Sequence, residues 1–222
     1  MKTNRPGAPW RALIFIAVML LWSTAYTSSN FPDPPAEIPG AAGNIQTAIL
    51  AGGCFWGMEG VFERLKGVMD VTSGYSGGEA QTAHYSMVST GTTDHAESVR
   101  VTFDPSIISY GELLKVFFSV AHDPTQLNRQ GPDVGSQYRS AIFYADDHQK
   151  RIAEEYIRTI DKAGIFRKPI VTKVVPLKAF YQAEDYHQDF MDRHPDHPYI
   201  RYWDVPKVDH LKKEFPKLVV QR

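Results

Sequence analysis

The stretch QTAILAGGCFWGMEGVFERLKG, residues 46–67, decides the fold. Gln46 to Ala51 is a short apolar run with strand propensity, and Gly52 and Gly53 end it with residues that allow a sharp turn. From Phe55 the spacing changes. Phe55, Met58 or Glu59, Val61, Phe62 and Leu65 fall on one face of a helix, which Gly67 is predicted to stop. A strand feeding a helix through a glycine turn opens an α/β unit, and Cys54 stands at the junction. The free amides and dipole of a helix N-terminus favour negative charge and lower a thiol pKa from its reference of about 8.5, so the placement predicts a thiolate. Phe55 and Trp56, directly after the sulfur, would make an apolar floor suited to a small methyl-bearing substrate.

Working outward, VMDVTSGYSGG (68–78) reads as a strand running into a glycine-rich turn, and HAESVRVTFDP (95–105) as a strand with Val99, Val101 and Phe103 alternating. Ser109 caps a helix carrying Leu113, Leu114, Phe117, Phe118 and Ala121 at helical spacing. A long polar loop, DPTQLNRQGPDVGSQYR (123–139), follows, and its many side-chain donors point to function. SAIFYA (140–145) is a strand, Asp146 opens a helix through Ile152, Ala153, Tyr156, Ile157 and Ile160, and KPIVTKVVPL (168–177) is a last strand. This order predicts an α/β (α+β) two-layer sandwich, a mixed sheet with helices packed on it, ferredoxin-like.

The 222-residue chain is long enough for one domain with appendages. Its 24 Lys and Arg against 25 Asp and Glu are scattered, which argues against a nucleic-acid partner. Lys2, Arg5 and Arg11 precede the apolar run ALIFIAVMLLW (12–22), and Ser23, Thr24 and Ala25 supply small residues at a cleavage position. Residues 1–25 are therefore expected to be a signal peptide of an exported, periplasmic or extracellular protein. The run of 11 residues falls short of the about 20 that a spanning helix needs, so a membrane anchor through residues 12–22 is the weaker alternative. The Pro-, Ala- and Gly-rich residues 26–44 read as a linker, residues 45–205 as the catalytic domain, and residues 206–222 as a tail without cysteine.

Exported proteins commonly use cysteines in disulfides, and this chain has one Cys. Two readings compete with redox chemistry at Cys54. A thiol hydrolase would pair it with a histidine base, for which His84, His95, His122 and His187 are candidates. An extracytoplasmic metal-binding module would use His187, His194 and His197 with Asp185, Asp189, Asp192 and Asp196, although that spacing matches no helical pair of ligands.

GCFWG (53–57), GYSGG (74–78), HAE (95–97), HDPTQLNRQGPDVGSQYRS (122–140) and FYQAEDYHQ (180–188) together resemble the peptide methionine sulfoxide reductase A family. The resemblance runs from about Gln46 to Tyr202. It implies that Cys54 attacks the sulfoxide sulfur and becomes a sulfenic acid, and that Glu97 protonates the oxygen as a general acid. It further implies that Tyr85 and Tyr138 hydrogen-bond that oxygen, and that Phe55, Trp56 and Asp133 line the substrate pocket. The implied substrates are oxidised proteins, with reduction of methionine S-sulfoxide and no metal or organic cofactor, and a monomer is expected. Two departures matter. The resolving cysteines that many members carry near the C-terminus are absent here, so regeneration falls to an external thiol reductant such as thioredoxin, glutaredoxin or a small thiol. Asp94 stands where the family usually has glycine, in the turn that leads to Glu97.

Overall fold

The computed structural model describes residues 31–37 and 44–220. The expected signal peptide and the run 12–22 lie outside the described residues, among which no helix is long and apolar enough to cross a membrane. In chain order the elements are β1 (Gln46–Gly52), α1 (Phe55–Phe62), β2 (Val68–Ser76), α2 (Tyr85–Val88), β3 (Ala96–Phe103), α3 (Tyr110–Val116), β4 (Arg129–Gln130), β5 (Asp133–Val134), β6 (Ser140–Tyr144), α4 (Asp147–Ala163), β7 (Lys173–Pro176), β8 (Phe180–Gln182), α5 (Phe190–Arg193) and α6 (Val205–Glu214).

Six strands form one sheet in the order β7-β6-β1-β3-β2-β8, while β4 and β5 pair separately. The inner four, β6-β1-β3-β2, are antiparallel neighbours with Leu50 opposite Ile142, Ala48 opposite Val101 and Val71 opposite Val101. This is the split β-α-β arrangement of a ferredoxin-like layer, because α1 carries the chain from β1 over β3 to β2. β7 extends it in parallel to β6 through the α4 crossover, and β8 extends the other edge antiparallel to β2. The sheet is thus mixed, with helices packed on it, as the sequence predicted.

Alternation along the strands sorts the core. Ala48 and Leu50 of β1, Val99, Val101 and Phe103 of β3 and Ile142 of β6 face the helices, with Phe62, Leu113, Phe117 and Tyr156 in the same buried cluster. Ile49, Ala51, Ala96, Ala141 and Phe143 form a smaller cluster on the opposite face. The helix starts follow their predicted signals. Ser109 accepts from the Glu112 amide while Glu112 accepts from the Ser109 amide, and Asp146 accepts from the Gln149 amide at 2.8 Å.

Three parts differ from the sequence reading. The first helix ends at Phe62, well before Gly67, because the chain beyond it pairs elsewhere: Leu65 bridges Val219, Lys66 N donates to Leu218 O, and Val220 N donates to Arg64 O. The segment expected as a tail is therefore packed structure, with α6 burying Val208 and Leu211 and Val219 reaching the core. Within the stretch expected as a linker, residues 31–37 lie against α3 and α4. Phe31 meets Tyr156 and Phe166 edge-on, Tyr156 Oη donates to Pro32 O at 2.8 Å, and Glu37 accepts from the Gly111 amide. The short elements β8, α2 and α5 were also unforeseen, since three or four residues carry too little periodicity to be read.

Candidate active site

Cys54 is the N-cap of α1, and the turn before it exists because Gly53 sits at φ +99°, where a side chain would also collide with Gln130. Cys54 as a residue is 8% exposed, so its thiol lies in a largely desolvated setting. Glu97, on the neighbouring β3, places its carboxylate under the same helix end and accepts from the Phe55 amide at 3.1 Å. Glu97 is buried, and burial pushes its carboxyl up to about 8, with Asp133 adding to the rise and the Phe55 hydrogen bond opposing it. At neutral pH it holds a proton.

The thiol departs from its predicted state. Burial, then the charges of Glu97 and Asp204, push the Cys54 thiol well above its ordinary value, and the Trp56 amide and Lys207 pull it down only in part. The helix N-terminus acts in the predicted sense through that amide, but desolvation outweighs it. The resting site therefore holds two protons, one on sulfur and one on Glu97.

The other predicted residues gather at this point. Tyr85, opening α2, and Tyr138, at the end of the loop 123–139, both have phenols raised by burial and by the charges of Glu97 and Cys54, which keeps them protonated donors. Glu184 fixes Tyr85 by accepting from its amide at 2.8 Å and also accepts from Tyr75 Oη at 2.9 Å. Asp133 accepts from the Tyr199 hydroxyl. Burial raises Asp133, while that hydrogen bond and Lys207 oppose the rise. Phe55 is fully buried against Tyr75 and His187. Trp56, half-buried, stacks on Phe190 at 3.7 Å, meets Tyr199 edge-on and donates to His187 Nδ1 at 3.2 Å. The ring is thereby held as a wall. At the turn carrying Asp94, Arg139 donates to the carbonyls of Asp94, His95 and Ser136, so the side chain at 94 projects outward and the chain into Glu97 is pinned by its backbone.

The rival chemistries find no such assembly. Among the described residues, no hydrogen bond joins Cys54 to an imidazole. His122 is held by Phe117 O and Ser140, His95 by Gly78 N and Glu79 O, and His187 by Trp56, while His84 lies exposed at the start of α2. His187, His194 and His197 pack as rings around Trp56 and Phe190. The cluster of ligand-type groups that does form among the described residues is Glu59, Glu63 and Asp189, and there burial pushes Glu59 up to about 8, so that it keeps a proton. A cleft of about 410 Å³ lined by Gly77, Asp94, Arg139, Phe143, Lys173 and Lys178 opens on the opposite sheet face from Cys54 and contains none of these residues.

Sequence reasoning missed Glu184, Phe190, Tyr199, Asp204 and Lys207 as parts of the site. Glu184 lies within the quoted FYQAEDYHQ motif, but nothing local reveals that its carboxylate reaches Tyr85, 99 residues away.

Comparison with known proteins agrees with this geometry. Residues 46–218 match the family model for peptide methionine sulfoxide reductase. A peptide methionine sulfoxide reductase MsrA 2 of Mesorhizobium japonicum is 56% identical over 182 residues, 82% of this chain and 93% of that protein. One of Synechocystis is 51% identical over 85% of this chain and 89% of its own length. Among solved structures, reduced Mxr1 of Saccharomyces cerevisiae superposes with a TM-score of 0.62 at 34% identity, covering 75% of this chain and 94% of that one. Methionine sulfoxide reductase A of Corynebacterium diphtheriae gives 0.61 at 36%, covering 74% and 82%. With this match over most of its length, and with Cys54 and Glu97 meeting beneath one helix end, the chain belongs to the peptide methionine sulfoxide reductase family.

Proposed function

We infer that this oxidoreductase reduces methionine S-sulfoxide in proteins, and free methionine S-sulfoxide, through Cys54. The observation that carries the reading is the buried, protonated Glu97 carboxyl beside the Cys54 thiol under the first turn of α1. The sulfur lone pair of Cys54 attacks the sulfoxide sulfur as the thiol proton leaves. Glu97 gives its proton to the sulfoxide oxygen, and the thiol proton restores the carboxyl. The substrate S–O bond and the S–S bond formed by the attack then both break as the protonated oxygen passes to Cys54, so the substrate sulfur gains two electrons and Cys54 loses two, leaving a thioether and a sulfenic acid. Tyr85 and Tyr138, kept protonated, donate to the developing charge on oxygen. The Trp56 wall, backed by Phe190, holds the S-methyl group, with Phe55 beneath it and Asp133 at the polar side.

The lone cysteine implies an external thiol that condenses with the sulfenic acid and releases Cys54 by exchange. The leader pattern of residues 1–25 supports action outside the cytoplasm. The test is a single turnover without reductant on the two resolved epimers of a methyl sulfoxide. About one equivalent of thioether from the S epimer alone, with Cys54 trapped as sulfenic acid by mass spectrometry and no product from Cys54→Ser, is the expected result. Product from Cys54→Ser would refute the mechanism.

A further inference from the structure

The C-terminal segment brings an ion pair to the catalytic helix. Lys207 Nζ lies 3.1 Å from Asp204 Oδ1, with the Asp204 side chain fully buried and that of Lys207 20% exposed. The pair meets α1 at Gly57, where a Cβ atom would come within 2.1 Å of Asp204 Oδ1 and 2.7 Å of Lys207 Nζ. Gly57 is the third residue of the helix that Cys54 caps, and the Cys54 sulfur is acted on by the amide of Trp56, the residue before Gly57 in the same turn. The bare glycine is what allows two charges to reach the turn beneath the sulfur.

We propose that Lys207, held beside Asp204 against the Gly57 face of α1, is a positioning residue of the reductase reaction whose charge stabilises the Cys54 thiolate. The inference rests on Cys54 being the nucleophile. The groups acting on it come from every side. Glu97 on β3 and Asp204 before α6 oppose the thiolate, and Tyr85 on α2, Tyr138 at the end of the long loop and Tyr199 before α6 couple to it as neutral phenols. Asp133 on β5 adds a further carboxylate, coupled to Glu97, Tyr85 and Tyr138. Against these acids Lys207 is the positive charge, and it acts on Cys54, Asp133 and Asp204 alike. Without it, the thiolate would form among carboxylates in a desolvated pocket, the environment that opposes it most. The pair also gives the C-terminal segment, which carries no cysteine, an electrostatic part in the first half-reaction.

The single cysteine makes the test direct, because alkylation by iodoacetamide reads Cys54 alone and does not depend on sulfoxide reduction. Its rate is measured from pH 6 to 11 for wild type, Lys207→Met, Lys207→Arg and Asp204→Asn, with folding checked by circular dichroism. Lys207→Met is expected to move the midpoint up by about one pH unit, an about tenfold slower alkylation at fixed pH, while Lys207→Arg keeps the wild-type midpoint. Asp204→Asn, which removes a negative charge, is expected to move it down. An unchanged midpoint in folded Lys207→Met, or shifts of both variants in the same direction, would overturn the proposal. Should Lys207→Met fail to fold, the direction in Asp204→Asn decides, and an unchanged or higher midpoint there overturns it. Loss of the wild-type single turnover, with these shifts intact, would instead remove the reading of Cys54 as reductase nucleophile.

Discussion

Glu97→Gln should stabilise the protein and cripple it at once, because the raised pKa that suits Glu97 to catalysis also weakens the fold. A glutamate near 4.5 when exposed stands at about 8 in the native site. Between those values the unfolded chain has released its proton and the native state has not, so native stability falls by about 1.4 kcal/mol per pH unit. The loss is absent below about pH 4.5, is about 3 kcal/mol at pH 7, and levels at about 5 kcal/mol above pH 8. Glutamine does not ionise, and its amide oxygen can still accept from the Phe55 amide. Urea unfolding of both proteins from pH 4 to pH 9 should show the variant gaining on wild type across that window and the gap becoming constant above it. The wild-type single-turnover rate should decline above pH 8 as Glu97 loses its proton. Glu97→Gln should lack that limb and run roughly 10²- to 10⁴-fold slower at pH 7, the usual worth of a general acid. A stability difference independent of pH would show that the Glu97 carboxyl is not perturbed and refute the assignment.

Two further changes probe the frame around Cys54. Trp56→Ala removes the ring stacked on Phe190 and its bond to His187; roughly 2–3 kcal/mol of lost substrate contact predicts a KM about 30- to 150-fold higher, with kcat changed much less. Steady-state kinetics on a methyl sulfoxide would contradict this if kcat fell while KM stayed. Gly57→Ala must push Asp204 and Lys207 away from α1, at a cost of about 1–3 kcal/mol, and thermal melts showing no loss would mean that the pair does not rest on that face.

The architecture was legible because it rests on local periodicity. The alternation of Val99, Val101 and Phe103, the Ser109 and Asp146 caps and the Gly52-Gly53 turn each declare their element within a few residues, and their order leaves few topologies for one layer of helices on a sheet. Elements made by partners rather than by pattern stayed hidden. β8 exists because β2 offers an edge, and α6 is a helix whose place depends on Val208 and Leu211 finding the core.

At the site, what the sequence alone offered was a set of residues, since the resemblance implied roles for Cys54, Glu97, Tyr85, Tyr138, Phe55, Trp56 and Asp133 together. Only the tertiary structure decided their protonation. The helix N-terminus that marks Cys54 as a thiolate is a local signal, whereas desolvation and the charges of Glu97 and Asp204 come from β3 and from the segment before α6. Burial is a property of everything that packs around a group, and no spacing along the chain reports it.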